Sequence, residues 1–176
     1  MINTDMKLFE IREYLIKHEL SKPNCKEAAR EFLCEMSDQY KIALTLTLNQ
    51  KWFTMNGLMR VDHYLTKEDI PKIYERFEYK LNKLIWKQKF YRHHSEKLNF
   101  LKGWEDGNGK KRIHLHAALG NFPKDFKWNT LPKIVEQASK ECFEIDFQHK
   151  EDICDSGWME YITKEVGEDN TDKILW

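Results

Sequence analysis

Residues 97–119, KLNFLKGWEDGNGKKRIHLHAAL, decide the fold. Two runs, 97–105 and 111–119, flank Asp106-Gly107-Asn108-Gly109, a connection of residues that tolerate positive φ as tight hairpin turns demand. The stretch therefore reads as a β-hairpin and brings antiparallel pairing with it. Successive side chains of a strand point to opposite faces, so within Arg112-Ile113-His114-Leu115-His116 the two histidines stand side by side while Leu115 enters the core. Two imidazoles so placed can ligate one divalent ion, and two polar residues on the wet face of an amphipathic strand give the same pattern. The turn folds Glu105 back toward the histidines, where a carboxylate would complete an ion site. Register is open by one residue, which leaves Asp106 as the alternative. Such a donor set suits Mn²⁺ or Mg²⁺, with positions left for substrate oxygens.

Working outward, KIALTLTLN at 41–49 alternates Thr45 and Thr47 against Leu44, Leu46 and Leu48 and reads as a strand. Apolar residues at helical spacing predict helices over 5–18 and 25–38, on either side of a Ser21-Lys22-Pro23-Asn24 break. Residues 52–60 read as a short strand or turn. Thr66 reads as a helix N-cap with Asp69 in a capping-box arrangement, opening a long helix through about Gln88. Its apolar positions Ile73, Phe77, Leu81 and Leu84 follow a 3.6-residue period. Further on, 130–142 reads as a helix, 143–149 as a strand and 156–166 as a helix. The sum is α+β, helices mixed with a largely antiparallel sheet. Residues 1–39 are expected to form a helical extension packed on the domain, 40–167 the domain itself, and 168–176 a loosely held tail.

At 176 residues with 41% hydrophobic content, the chain suits one domain with a real core, and the low Gly and Pro content argues against disorder. The first residues lack the apolar run of a signal peptide, and no stretch approaches the roughly 18 apolar residues of a membrane span. A soluble intracellular protein is expected. The spacings of Cys25, Cys34, Cys142 and Cys154 match no zinc template, and reduced thiols are expected. Net charge is zero but unevenly spread. Lys72 to Arg112 holds twelve Lys/Arg against five Asp/Glu, and Glu141 to Trp176 holds eleven acidic residues against three Lys. A basic segment of this kind can face phosphates in a neutral protein.

Tyr161-Ile162-Thr163-Lys164 sits on the last expected helix, where residues three apart share a face and Lys164 would lie beside the Tyr161 hydroxyl. A phenol with a pKa near ~10 needs a neighbouring cation or a polarised phosphate to act as a nucleophile at neutral pH. Alone, Tyr-x-x-Lys describes many half-buried helical tyrosines. Taken in order, the Thr45/Thr47 strand, Glu105, His-Leu-His and Tyr-x-x-Lys resemble the HUH endonuclease superfamily over residues 41–165. The single tyrosine followed by Lys164 resembles the replication initiators of rolling-circle plasmids and small single-stranded DNA viruses.

That resemblance implies a central antiparallel sheet of about five strands, ferredoxin-like, flanked by helices. It implies Tyr161 as nucleophile, Lys164 as its basic partner, and His114, His116 and Glu105 as ligands of Mn²⁺ or Mg²⁺. Thr45, Thr47 and Asn49 match the first family motif, linked to DNA binding or support of the site. The implied activity is nicking and rejoining of single-stranded DNA through a 5′-phosphotyrosine. An origin hairpin would be the substrate, helicase and polymerase would come from elsewhere, and a homo-oligomer is open. The location would be the cytoplasm, or the nucleus for a eukaryotic virus. Arg92, Lys110, Lys111 and Arg112 are candidates for the DNA backbone, with Tyr91 left open. Trp86 and Phe90 fit the apolar face of the long helix, and His93 and His94 read as surface histidines. No G-x-x-x-x-G-K-[ST] loop is present. The extension before the first motif is longer than in minimal initiator domains. Single-tyrosine transposases resemble the chain too, but usually carry Gln where Lys164 stands, and relaxases a three-histidine cluster. A non-catalytic ferredoxin-like nucleic-acid binder would need aromatics where the histidines stand.

Overall fold

A computed structural model of the chain describes residues 25–92, 96–106, 112–163 and 174–175. Its elements in order are α1 (Cys25–Glu35), β1 (Tyr40–Leu48), β2 (Lys51–Asn56), β3 (Met59–Tyr64), α2 (Ile70–Trp86), α3 (Gln88–Arg92), β4 (Asn99–Glu105), β5 (His114–Gly120), α4 (Leu131–Lys140), β6 (Ile145–Ile153), α5 (Ser156–Ile162) and β7 (Ile174–Leu175). Five strands form an antiparallel sheet in the order β6-β1-β5-β4-β7, and β2 pairs with β3 in a separate hairpin. The fold is α+β, as the alternation of residues 41–49 and the hairpin of 97–119 require.

The sheet has helices on both faces. Leu44, Leu46, Leu48, Trp104, Leu115, Ala117 and Leu119 point to one side and bury Ile73, Tyr74, Phe77 and Leu81 of α2 with Val135 and Ala138 of α4. Ala43, Leu101 and Ala118 point to the other, against Leu33 of α1 and Met159 and Ile162 of α5. Full burial of each large side chain contributes about 1.5–3 kcal/mol. An irregularity in the β1–β5 register between Tyr40 and Ile42 turns Tyr40 toward the α1 side, out of step with the even-numbered leucines. Where β5 ends, Gly120 runs so close to the preceding turn that a Cβ there would lie 2.1 Å from the Gln39 carbonyl oxygen.

Helix starts follow the sequence signals. The Asp69 carboxylate accepts from the Thr66 backbone N–H at 3.0 Å and from its hydroxyl at 2.8 Å. Pro71 and Pro132 occupy first-turn positions of α2 and α4, where no N–H is needed. Several boundaries differ from the sequence reading. The long helix stops at Trp86, because Lys87 takes φ 50°, and a separate turn, α3, follows. The expected strand at 143–149 runs instead from Ile145 to Ile153, its polar end pairing with β1 at the sheet edge. Residues 52–60, read as one short strand or turn, belong to a full hairpin. Among the described residues no helix is long and apolar enough to cross a membrane. The expected helix over 5–18 lies outside the described residues.

Candidate active site

The register across three strands places the expected residues together. Thr45 of β1 lies opposite His116 of β5, and Thr47 opposite His114. On the other flank His114 faces Glu105, and His116 faces Gly103. Thr45, Thr47, His114, His116 and Glu105 thus share the sheet face that α5 partly covers. The face is closed beneath them by Ala43, Ala118 and Leu101.

Each imidazole is tied by its Nδ1. Thr45 Oγ1 lies 3.1 Å from His116 Nδ1, and Thr47 Oγ1 3.2 Å from His114 Nδ1. Committing Nδ1 leaves Nε2 as the ring atom for a further partner, the arrangement by which a second group fixes the orientation of a histidine ligand. For His116 that partner is Glu105, whose Oε2 lies 3.4 Å from Nε2. The same Oε2 accepts a 3.3 Å hydrogen bond from the Tyr161 hydroxyl. His116 is only 4% exposed, whereas Tyr161 is 39% exposed, so the tyrosine is open to solvent while the imidazole beside it is enclosed.

Tyr161 is held by its ring as well as its hydroxyl. Its edge meets His116 at 5.0 Å between centroids, and Trp158, one helical turn earlier, stacks on it at 5.3 Å with 18° between planes. Trp158 also meets His116 edge-on at 5.6 Å. Asp155 starts α5, its carboxylate accepting from the Trp158 N–H at 2.8 Å, and so fixes the helix that carries both rings. Trp158 was not singled out in the sequence. Its three-residue spacing from Tyr161 was legible, but its approach to His116 depends on how α5 docks.

From behind the sheet, the buried Tyr74 of α2 donates its hydroxyl to the Gly103 and His116 carbonyls at 2.5 and 2.7 Å. Desolvation pushes this phenol well above its ordinary pKa, with the two carbonyls as the lesser influences.

Of the remaining candidates, Asn49, Arg112 and Asp106 find partners outside this cluster. Asn49 and Arg112 clamp the end of β1. The guanidinium of Arg112 donates to the Leu48 carbonyl at 3.2 Å and to Asn49 Oδ1 at 3.1 Å, and it pairs with Asp146 at 2.6 Å. Asn49 donates in turn to the Phe143 carbonyl at 3.2 Å. Asp106, the alternative to Glu105, pairs with Lys67 at 3.3 Å. Arg92 ends α3. Lys110, Lys111 and Lys164 lie outside the described residues. Among the described residues no three His, Cys, Asp or Glu side chains converge on one point as an assembled ion cage. The donor chemistry for a hard or borderline divalent ion is present in His114, His116 and Glu105.

The chain matches no protein-family model, no curated protein and no solved structure.

Proposed function

We propose that this chain is a single-tyrosine endonuclease of the HUH type that cuts single-stranded DNA and stays joined to it through Tyr161. The observation that supports this best is the double contact of Glu105 Oε2, which meets both the Tyr161 hydroxyl and His116 Nε2. A phenol from α5 and a buried imidazole from β5 meet at one carboxylate of β4, on the sheet face that α5 partly covers.

In this reading the Tyr161 oxygen attacks phosphorus as its proton passes to Glu105. The new bond is O–P from tyrosine to the 5′-phosphate, and the bond broken is from phosphorus to the 3′-oxygen, which leaves as a hydroxyl after taking up a proton. The reverse attack by a 3′-hydroxyl rejoins the strand, and no nucleotide is consumed. Trp158 and His116 hold the phenol ring so that little rotational freedom is lost at the attack. His114, His116 and Glu105 would hold a Mn²⁺ or Mg²⁺ ion, which supplies Lewis-acid neutralisation of the phosphate. The role in starting rolling-circle replication, with helicase and polymerase from other proteins, belongs to the same proposal. So does Lys164 as the cation beside the phenol.

The test is denaturing electrophoresis after incubation with Mn²⁺ and single-stranded oligonucleotides tiling the chain's own replicon. A shifted band that survives denaturation and disappears in Tyr161→Phe is expected. Cutting that persists in Tyr161→Phe would assign the nucleophile elsewhere, and binding without any cutting would favour a non-catalytic DNA-binding module.

A further inference from the structure

The β2–β3 hairpin stands outside both cores. None of residues 51–64 is buried. At its tip Leu58 is 100% exposed, Met59 72%, Met55 59% and Phe53 52%. A two-stranded hairpin is marginal alone, and this one is held by its own cross-strand contacts. Trp52 stacks on His63 at 5.6 Å, and the Thr54 hydroxyl lies 2.8 Å from His63 Nε2. Gly57 is the first of the two central turn residues, at φ 61°, the position at which a tight Gly-X hairpin turn takes glycine. A hairpin that keeps its shape while presenting an apolar tip to water points to a partner.

Its base is fixed at the rim of the candidate site. The hairpin begins four residues after Thr47, the partner of His114. It closes with the Leu65 N–H donating to the Gln50 carbonyl at 3.0 Å. Just beyond, Lys67 pairs with Asp106, the neighbour of Glu105, and lies over the Trp104 ring at 5.5 Å. One face of the hairpin carries two cations against one carboxylate. Arg60 lies over Phe53 at 4.4 Å and Lys51 over Tyr64 at 5.1 Å, and Asp62 pairs with both at 2.8 and 2.9 Å. Rings, cations and an apolar tip match stacked bases bordered by phosphates.

We infer that this hairpin is a wedge for the boundary between duplex and single-stranded DNA. Leu58 and Met59 enter between the last stacked bases, Arg60 faces the phosphates beside them, and Lys51, at the hairpin's base, faces phosphates further along the strand. The inference rests on the nicking reading, since a strand held open at the rim is the substrate that site would need.

The experiment uses the full chain and Leu58→Asp, a change at a fully exposed position that leaves the fold alone. A forked duplex carries 2-aminopurine, which brightens when unstacked, at its last base pair, and chelator prevents cutting. The wild type should brighten the fork and Leu58→Asp should not, with fork affinity down by about tenfold and single-strand affinity within about twofold. Equal brightening and equal fork affinity in the two proteins would overturn the inference. So would a wild type that sediments as a dimer, a monomeric Leu58→Asp and unchanged fork binding, which would assign the tip to a second copy. Tyr161→Phe should brighten the fork like the wild type. Absence of covalent adduct alongside a normal fork response would therefore sink the nuclease reading alone.

Discussion

Tyr74→Phe removes one oxygen from the centre of the molecule and leaves the ring in place. The residue is 1% exposed, and its hydroxyl serves two carbonyls of directly opposed residues, Gly103 and His116. A typical buried hydrogen bond contributes about 0.5–1.5 kcal/mol net, and leaving buried polar groups less satisfied costs about 1–3 kcal/mol. Both carbonyls belong to a paired ladder, so the lower end applies and a loss of about 1–2 kcal/mol is expected. For a chain of this size that lowers the melting temperature by roughly 2–8 °C. Urea denaturation followed by far-ultraviolet circular dichroism at neutral pH should show a lower midpoint and an unchanged slope. The pH dependence adds a second, signed test. Burial raises the folded-state pKa of Tyr74 above the ordinary 10.0. Above about pH 10 the unfolded chain gives up this proton while the folded one keeps it, so wild-type stability falls as pH rises. Phenylalanine has no proton to lose, and the gap between variant and wild type should narrow there. A variant as stable as wild type at neutral pH, or a gap that widens in alkali, would refute the assignment of this hydroxyl.

Four further outcomes are expected. Gly120→Ala places a Cβ 2.1 Å from the Gln39 carbonyl oxygen and should be among the most destabilising single changes, read as a melting temperature lowered by more than 10 °C or as insoluble protein, roughly 4 kcal/mol or more. Thr45→Val removes the 3.1 Å partner of His116 Nδ1 at nearly constant volume, and nitrogen-15 NMR should show a changed tautomer balance at His116 with about 1 kcal/mol of stability lost. Asp155→Ala deletes the cap of α5 and should cost about 1 kcal/mol, with faster amide exchange confined to 156–162. Burial pushes the Cys142 and Cys154 thiols up from 9.0 to about 11, so both should resist thiol reagents in the folded protein near pH 9, and stability should fall between pH 9 and 11 as the unfolded chain ionises first.

The hairpin of β4 and β5 was legible because alternation and turn chemistry agreed over a short span. That span also carried the site's geometry, since the strand period alone sets His114 beside His116. What it could not settle was register, and with it Glu105 against Asp106. The structure points Glu105 into the cluster and Asp106 toward Lys67. Residues 52–60 read as one short strand or turn although Phe53-Thr54-Met55-Asn56 and Met59-Arg60-Val61-Asp62 each alternate apolar with polar residues around a turn glycine; each alternating run is only four residues long. The outward shift of β6 has a related cause. Its Lys150-Glu151-Asp152 run looks like loop, yet it sits on an edge strand, where charge is tolerated and discourages further pairing. Trp158 was hidden for another reason, because its part depends on the docking of a helix rather than on any local pattern.

The docking of α5 has a consequence of its own. Seven residues are too few for a helix to persist by itself, and this one stays through Met159, Ile162 and the Asp155 cap. Thr45, Thr47, His114, His116 and Glu105 are carried by the sheet, whereas Tyr161 is carried by α5 and meets Glu105 because that helix is docked. Any change that loosens Met159, Ile162 or the Asp155 cap therefore displaces the phenol from Glu105 while the sheet residues keep their register.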